Sequence, residues 1–392
     1  MTILGIFLNN QLRTGGNRRY LELMEELSIR GNTVHVIMNS FLDYSPKAFN
    51  KIEVSIKYKR RSFPPASYLF RQGLKRHYIK IKDAAGSPQF IIIFGDTQLK
   101  SALFLKKKLE LPLFYAFRAN DIDRARIMRN HGSLEMRDFL FSLLYEPVNR
   151  HREKKAARHA ELITFQNTVD RDCFLRRTKC PVKKTVVIPG NLGSWYGPKW
   201  ENRNCSSEIR KIVYIGLLSA GKGFWELLKA LELLKKRGYG FLKCYALGRL
   251  ENTDPVLRLI KKLHIEEMVF LEGFRDPFPY LADCDLLVYP TLYDAFPNTV
   301  LEALHAGCPV IASAVGGVPD LLGYEELLFK SADIGQMTDK IERCITDRDF
   351  YKKIRMLCSE RAEVHRFDWA ERFESAMRNY LAADGTPEVL RS

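Results

Sequence analysis

Two carboxylates, Asp294 and Glu302, stand eight positions apart in the run Val288-Tyr-Pro-Thr-Leu-Tyr-Asp-Ala-Phe-Pro-Asn-Thr-Val-Leu-Glu-Ala-Leu-His-Ala-Gly-Cys-Pro-Val-Ile-Ala-Ser313. The run reads as a strand, a polar loop, a short helix over 299–305 with Asn298 as its N-cap, and a second strand. Unpaired amides at such a helix start favour phosphate. Glu302, one turn inside, can reach a ribose hydroxyl, and Asp294, ahead of the helix, can face a sugar. Phe296, Pro297, Asn298 and Thr299 lie between them. A second group is Lys222, set between Gly221 and Gly223 in a glycine-containing loop after a strand, where an ammonium suits a phosphate. A third is Arg118, Asn120 and Asp121, just past an apolar run; here Arg118 and Asp121 either pair with each other or touch a ligand. Gly15 and Gly16 either permit a tight turn or allow close backbone approach. Each group also has a plain structural reading: Asp294 as a turn residue, Glu302 as a helix-dipole charge, Lys222 as a surface lysine. His35 reads as a satisfied core residue inside a strand, and His305 as a packing or surface histidine.

The elements that position these groups alternate regularly. Residues 3–8 read as a strand, Gly15-Gly16 as a loop, 17–30 as a helix with apolar Leu21, Met24 and Leu27, and 33–38 as a strand. Gly31-Asn32 ends the helix, because glycine tolerates the left-handed cap. This is a βαβ unit, so its strands should be parallel. Further strands are expected at 90–94, 113–117, 162–165 and 186–188. Pro189-Gly190-Asn191 and the aperiodic stretch through Trp200 to Ser207 read as a linker. The pattern then restarts: a strand at 211–215, a loop over 216–223, a helix at 224–236, and strands at 242–247, 269–271, 286–289 and 310–312. Helices follow from Gly335 onward. A chain of 392 residues is too long for one ordinary core, and the repeated pattern supplies two.

Composition narrows the class. No apolar run approaches bilayer length, and the first residues read as a strand rather than a signal peptide. Eight cysteines stand without a C-x-x-C pair or a neighbouring His cluster. A zinc site or disulfide framework is therefore not expected, and reduced thiols in a cytoplasmic protein are. The net charge of +16 speaks to partners rather than fold. Basic residues crowd 47–82 (Lys57, Lys59, Arg60, Arg61, Arg71, Lys75, Arg76) with Phe63, Tyr68, Leu69, Phe70 and Tyr78 interleaved. This reads either as a surface that meets an anionic membrane or as a solvated face over ordinary core aromatics.

In order and spacing, these segments resemble the retaining glycosyltransferase family 4 (glycosyl transferases group 1). Asp294-x7-Glu302 resembles that family's E-x7-E signature. Gly15-Gly16 is similar to its N-terminal glycine loop, and Phe117-Arg-Ala-Asn-Asp-Ile122 to the segment after a core strand. Ile188-Pro-Gly-Asn191 resembles its domain junction, Gly216-Leu-Leu-Ser-Ala-Gly-Lys-Gly223 its G-R-L-x-x-x-K-G loop, and Ala314-Val-Gly-Gly-Val-Pro-Asp320 the turn after the penultimate strand.

The resemblance implies an α/β GT-B architecture, two Rossmann-like domains with parallel sheets facing across a cleft. It places an acceptor domain at 1–190, with the C-terminal helix 371–392 packed back on it, and a donor domain at 191–370. It implies a retaining, metal-independent transferase that moves a sugar from a UDP- or GDP-sugar to a saccharide or lipid-linked acceptor in surface polysaccharide synthesis. The expected location is the cytoplasm, peripheral to the inner membrane face, with no nucleic-acid partner and no cofactor. Lys222 would hold the diphosphate and Asp294 the sugar beside its anomeric carbon. Gly15, Gly16, Gly216, Arg275 and the stretch Phe296, Pro297, Asn298 and Thr299 would line the donor, Glu302 would bind the ribose, and Arg118, Asn120 and Asp121 would border the acceptor. Two departures stand out: Leu217 replaces the expected arginine, with Arg118 or Arg275 as candidate substitutes, and Asp294 is one methylene shorter than the usual glutamate. Asp121-Ile-Asp123 matches D-x-D formally but falls in the wrong half. The alternatives are a sugar-nucleotide epimerase on the same scaffold, a polyanion-binding protein with steep salt dependence, and a scaffold that binds nucleotide but has lost transfer.

Overall fold

A computed structural model describes residues 1–12, 15–58, 66–118, 120–132, 136–192, 208–249 and 253–382. Lys59, Arg60, Arg61 and Phe63 of the basic stretch, the linker residues 193–207 and the final residues 383–392 lie outside the described residues. The strands are β1 (Thr2–Phe7), β2 (Thr33–Asn39), β3 (Asn50–Val54), β4 (Phe90–Phe94), β5 (Leu113–Ala116), β6 (Leu162–Phe165), β7 (Thr185–Val187), β8 (Lys211–Ile215), β9 (Lys243–Leu247), β10 (Val269–Gly273), β11 (Leu286–Tyr289), β12 (Val310–Ser313) and β13 (Leu328–Phe329). They form two sheets, β3-β2-β1-β4-β5-β6-β7 and β10-β9-β8-β11-β12-β13, and every pairing in both is parallel.

Parallel strands covered by helices on both faces read as continuous apolar runs. Phe90–Phe94 and Leu286–Tyr289 are such runs, and both were expected as strands. The edge strand β3 was not. Only Ile52 and Val54 of it face inward, so its period-two signal is two residues long and lies in a basic stretch. In each sheet the strand order reverses once, between β1 and β4 and between β8 and β11. A doubly wound sheet leaves its ligand crevice at that point, beyond the carboxyl ends of the strands.

The chain divides into two compact units, one of Met1–Asn120, Leu143–Gly193 and the stretch from Asp368 on, the other of Asp121–Ser142 and Ser194–Phe367. Residues 121–142 thus group with the second unit, although the strands on either side of them belong to the first. Two contacts account for this. The Met128 methyl lies 2.2 Å from where a Cβ on Gly221 would sit, so the bare glycine is its seat. His131 Nε2 lies 3.3 Å from the buried Glu226 carboxylate.

The helix Trp369–Ala382 closes the first unit. Trp369, Phe373 and Met377 are buried, Phe373 stacks on Phe94 at 6.0 Å and Tyr380 meets Phe114 edge-on at 5.0 Å. Glu374 fastens it, accepting from Arg30 Nε at 2.7 Å and from Asn32 at 3.2 Å.

The structure also sorts the basic, aromatic stretch. Phe70 and Leu74 of the helix Ala66–Arg76 are fully buried, Tyr58 meets Phe70 edge-on and Tyr78 packs on Phe104. Most of its described aromatics are therefore core residues under a basic surface. His35 differs from its expected satisfied state: its Nδ1 is buried without a hydrogen-bond partner among the described residues, and burial lowers its pKa.

Candidate functional site

In the second unit, Lys222 follows β8 and Asp294 follows β11, the two strands that flank the switch point. Register pairs Leu286 with Ile212 and Leu287 with Val213, so the two loops leave the sheet side by side. Lys222 Nζ and Asp294 Oδ2 are 2.6 Å apart. The Tyr289 hydroxyl donates to the same oxygen at 2.8 Å. Burial works against ionisation of Asp294, but the Lys222 charge and its hydrogen bond, the Tyr289 hydroxyl and the Phe296 amide outweigh it, and the carboxyl is held below the usual aspartate value. Burial and the Asp294 charge push the Tyr289 phenol well up. At neutral pH Asp294 is therefore a carboxylate and Tyr289 a neutral phenol.

Backbone contacts fix the loops. Gly223 has φ +69, and a Cβ there would fall 1.8 Å from the Pro290 carbonyl oxygen. Gly316 has φ +54, and its Cβ would fall 2.0 Å from the Asp294 carbonyl oxygen, which accepts from Gly317 N at 3.0 Å. Leu292 N donates to Gly221 O at 3.3 Å. The Tyr214 hydroxyl donates to Leu217 O at 2.8 Å. Gly216 N donates to Leu247 O at 2.9 Å. Only glycine meets both the positive φ and the absent Cβ at such crossings. The carboxylate and ammonium are thus held by main chain on both sides, which is the preorganisation that charge-stabilising sites need.

The helix beyond Asp294 runs Asn298–His305 with Pro297 as its N-cap, and no side chain caps it. The cap therefore falls one residue earlier than expected. Pro297, at φ −74 and ψ 122, is extended and sets up the first turn, and Asn298 opens the helix instead of capping it. Phe296 is buried, its ring edge-on to His365 at 5.8 Å. Asn298, Thr299 and Glu302 are half-buried. His305 Nδ1 lies 2.9 Å from Leu301 O, a packing role.

The first unit assembles a different cluster at its strand ends. Arg118 donates to Asn17 Oδ1 at 2.6 Å. Asn120, fully buried, accepts from Arg177 at 3.1 Å, and Arg177 grips Glu153 through two bonds of 2.8 Å. Asp121, the first residue of the segment that groups with the second unit, pairs with Arg124 at 2.9 Å. Gly15 and Gly16 are the first residues of the helix Gly15–Ile29, not a loop ahead of it.

Residues 209–347 match the family model described as "Glycosyl transferases group 1", and this span holds Lys222, Asp294 and Glu302. Over this span the chain is similar to the group 1 glycosyl transferases. Among its relatives is the N-acetylgalactosamine-N,N'-diacetylbacillosaminyl-diphospho-undecaprenol 4-alpha-N-acetylgalactosaminyltransferase of Campylobacter jejuni, 24% identical over 65% of this chain and 66% of that protein. The chain thus matches just under two thirds of that relative's length. Sucrose-phosphate synthase from Thermosynechococcus elongatus is similar in fold, with TM-score 0.76 and 17% identity over 97% of this chain and 99% of that one. So is Anabaena HepE, solved with UDP and glucose, with TM-score 0.70 and 16% identity over 98% and 100% of the two chains. The fold of the chain is GT-B, with two Rossmann-like sheets.

Of the expected site residues, the fold brings together Lys222, Asp294 and the Phe296 amide. Gly216 lies at the base of the same loop, and a Cβ on Gly248 would strike its carbonyl oxygen at 1.7 Å. Arg275 is exposed and bonds its own turn, Nε to Glu272 O at 3.3 Å, so it does not join the pair as a substitute for the missing arginine. Sequence reasoning missed Tyr289, Asn17, Glu153 and Arg177. Tyr289 had a usable signal, a hydroxyl at the last position of the strand that leads into Asp294. Glu153 and Arg177 had none, since only tertiary contact pairs residues 24 positions apart.

Proposed function

We propose that the chain is a retaining glycosyltransferase that works without a metal ion and moves a sugar from a nucleotide-sugar to a saccharide carried on a lipid, at the cytoplasmic face of a membrane. The observation that carries this reading is the Lys222–Asp294 pair at the switch point of the second sheet. A diphosphate donor would draw the Lys222 ammonium away from Asp294. The freed carboxylate would then accept hydrogen bonds from sugar hydroxyls, and the ammonium with the helix-start amides would stabilise the leaving diphosphate. Glu302, one turn into the helix, would take the ribose, with Gly216 and Phe296 to Thr299 lining the donor. In the first unit, Arg118 and Asn120 would serve the acceptor side. The lipid-linked acceptor is supported by the Campylobacter relative, whose name includes a diphospho-undecaprenol, and a uridine donor by the UDP held in Anabaena HepE.

The test is direct. Incubation with candidate UDP- and GDP-sugars and a lipid-linked saccharide should release nucleoside diphosphate and give a product whose anomeric proton coupling matches that of the donor, with EDTA present throughout. Inverted coupling would overturn retention, and loss of turnover in EDTA would overturn metal independence. Conversion of the donor sugar in the absence of acceptor would favour the epimerase.

A further inference from the structure

Cys284 and Cys308 are reduced thiols whose sulfurs lie 3.2 Å apart. Main chain presents both. Cys284 ends the short helix Phe278–Asp283, its N donating to Tyr280 O at 2.8 Å. Cys308 follows the helix Asn298–His305, its N donating to Ala303 O at 2.8 Å. The first stands ahead of β11 and the second ahead of β12, and these strands are paired neighbours. Register carried back from Leu287 opposite Val310 sets Cys308 beside Asp285, one residue from Cys284. Neighbouring strands are about 4.8 Å apart with about 3.3 Å per residue, so the two Cα atoms fall within the span of about 4.4–6.8 Å that a disulfide bridges. Both residues belong to the second unit. They lie at the amino ends of its strands, opposite the end that carries Lys222 and Asp294. The 24 positions that separate them along the chain hold β11, the Asp294 loop and the helix Asn298–His305.

We infer that Cys284 and Cys308 are an oxidisable pair, which a small peroxide converts to a disulfide that ties this segment at its foot. One sulfur, as thiolate, attacks a peroxide oxygen; the O–O bond breaks, a sulfenic acid forms, and the leaving hydroxide takes up the thiol proton as water. The second sulfur attacks the sulfenic sulfur, its S–O bond breaks, the disulfide forms and another water leaves. Two thiols are thereby oxidised and one hydrogen peroxide is reduced to two waters. Cys284 and Cys308 are 2% and 0% exposed. That burial shuts out bulky disulfide reagents and slows ionisation, so the pair reacts slowly and selects a small oxidant. A third thiol, Cys358, engages β12 instead, its Sγ accepting from Val310 N at 3.3 Å. The closed ring restricts the unfolded chain, so oxidation stabilises the segment that carries Asp294 and Glu302 without placing a new group at their end of the sheet.

Full-length folded protein is treated with hydrogen peroxide, and its remaining thiols are alkylated in denaturant. Two thiols per chain should be lost, peptide mass spectrometry should find Cys284 linked to Cys308, and the melting temperature should rise by about 5 °C or more. Dithiothreitol should reverse all three. Cys308→Ala should lose the linked peptide and the rise, while its reduced form keeps the thermal shift with nucleoside diphosphate. Cys284→Ala provides the same test should Cys308→Ala fail to fold. A full thiol count after peroxide would overturn the inference. So would Cys284 or Cys308 oxidised to sulfinic acid without a link, a link that runs to Cys358 instead, or a Cys284–Cys308 link that leaves the melting temperature unchanged. The transferase reading survives any of these results, because the pair and the Lys222–Asp294 site lie at opposite ends of the strands.

Discussion

The two units share a strand order up to the extra edge strand β7, yet they hold their strand-end groups by different means. In the second unit, main chain does it: Gly223 against Pro290 and Gly316 against Asp294 leave no room for a Cβ, and the Lys222–Asp294 pair sits between these crossings. In the first unit, side chains do it: Arg177 with Glu153 and Asn120, Arg118 with Asn17, and Glu374 with Arg30. Backbone crossings tolerate almost no substitution but hold a fixed geometry, as a site that must stabilise developing charge requires. Side-chain clusters vary more freely.

The contrast can be broken most sharply at Gly316. Gly316→Ala places a methyl against the Asp294 carbonyl in a left-handed conformation. The second unit should lose about 3 kcal/mol or more, seen as a lower melting transition and absent transfer. If Gly316→Ala melts like the parent, main-chain locking is not what holds the loop.

Next in size is Lys222→Ala. It should cut transfer by about 100- to 1000-fold and weaken the thermal shift with nucleoside diphosphate, with circular dichroism unchanged. Asp294→Asn should lower turnover more than it lowers nucleoside diphosphate affinity. Equal losses in both would place Asp294 on the nucleotide instead of the sugar.

Glu153→Ala should act on stability alone. It strands the largely buried Arg177 guanidinium, which typically costs about 3 kcal/mol, and the shift with nucleoside diphosphate should persist. A lost shift would mean that the first-unit cluster shapes the donor site.

The smallest effect is one of pH. Burial opposes ionisation of Glu374, but Arg30, Arg378 and Asn32 outweigh it, and its carboxyl is pulled from the ordinary 4.5 down to about 2. The folded form therefore gains from ionised Glu374, fully above pH 4.5, and the gain fades as pH falls from there towards 2. Between pH 5 and pH 3 the parent's melting temperature should drop by several degrees more than that of Glu374→Gln. Parallel curves would mean that the apolar contacts of the C-terminal helix, not Glu374, dock it.

Legibility in the sequence followed signal length. Strands such as Phe90–Phe94, Leu162–Phe165, Lys211–Ile215 and Leu286–Tyr289 and the helix Phe224–Lys236 were readable to the residue, because each is a continuous apolar or amphipathic run. The short strands β3 and β13 were missed, since two inward residues in one and two residues in all in the other give no period to detect. The Gly15-Gly16 loop was misread because glycines that open a helix look locally like a turn.

By itself, the sequence determined the alternation of strands and helices, the two cores, and the residue types at the strand ends. Those depend on local periodicity and on chain order. Tertiary structure alone decided that Lys222 and Asp294 meet across 72 positions and that residues 121–142 join the second unit. Each of these depends on which distant surfaces come to lie against one another, and the spacing of residues along the chain carries no record of that.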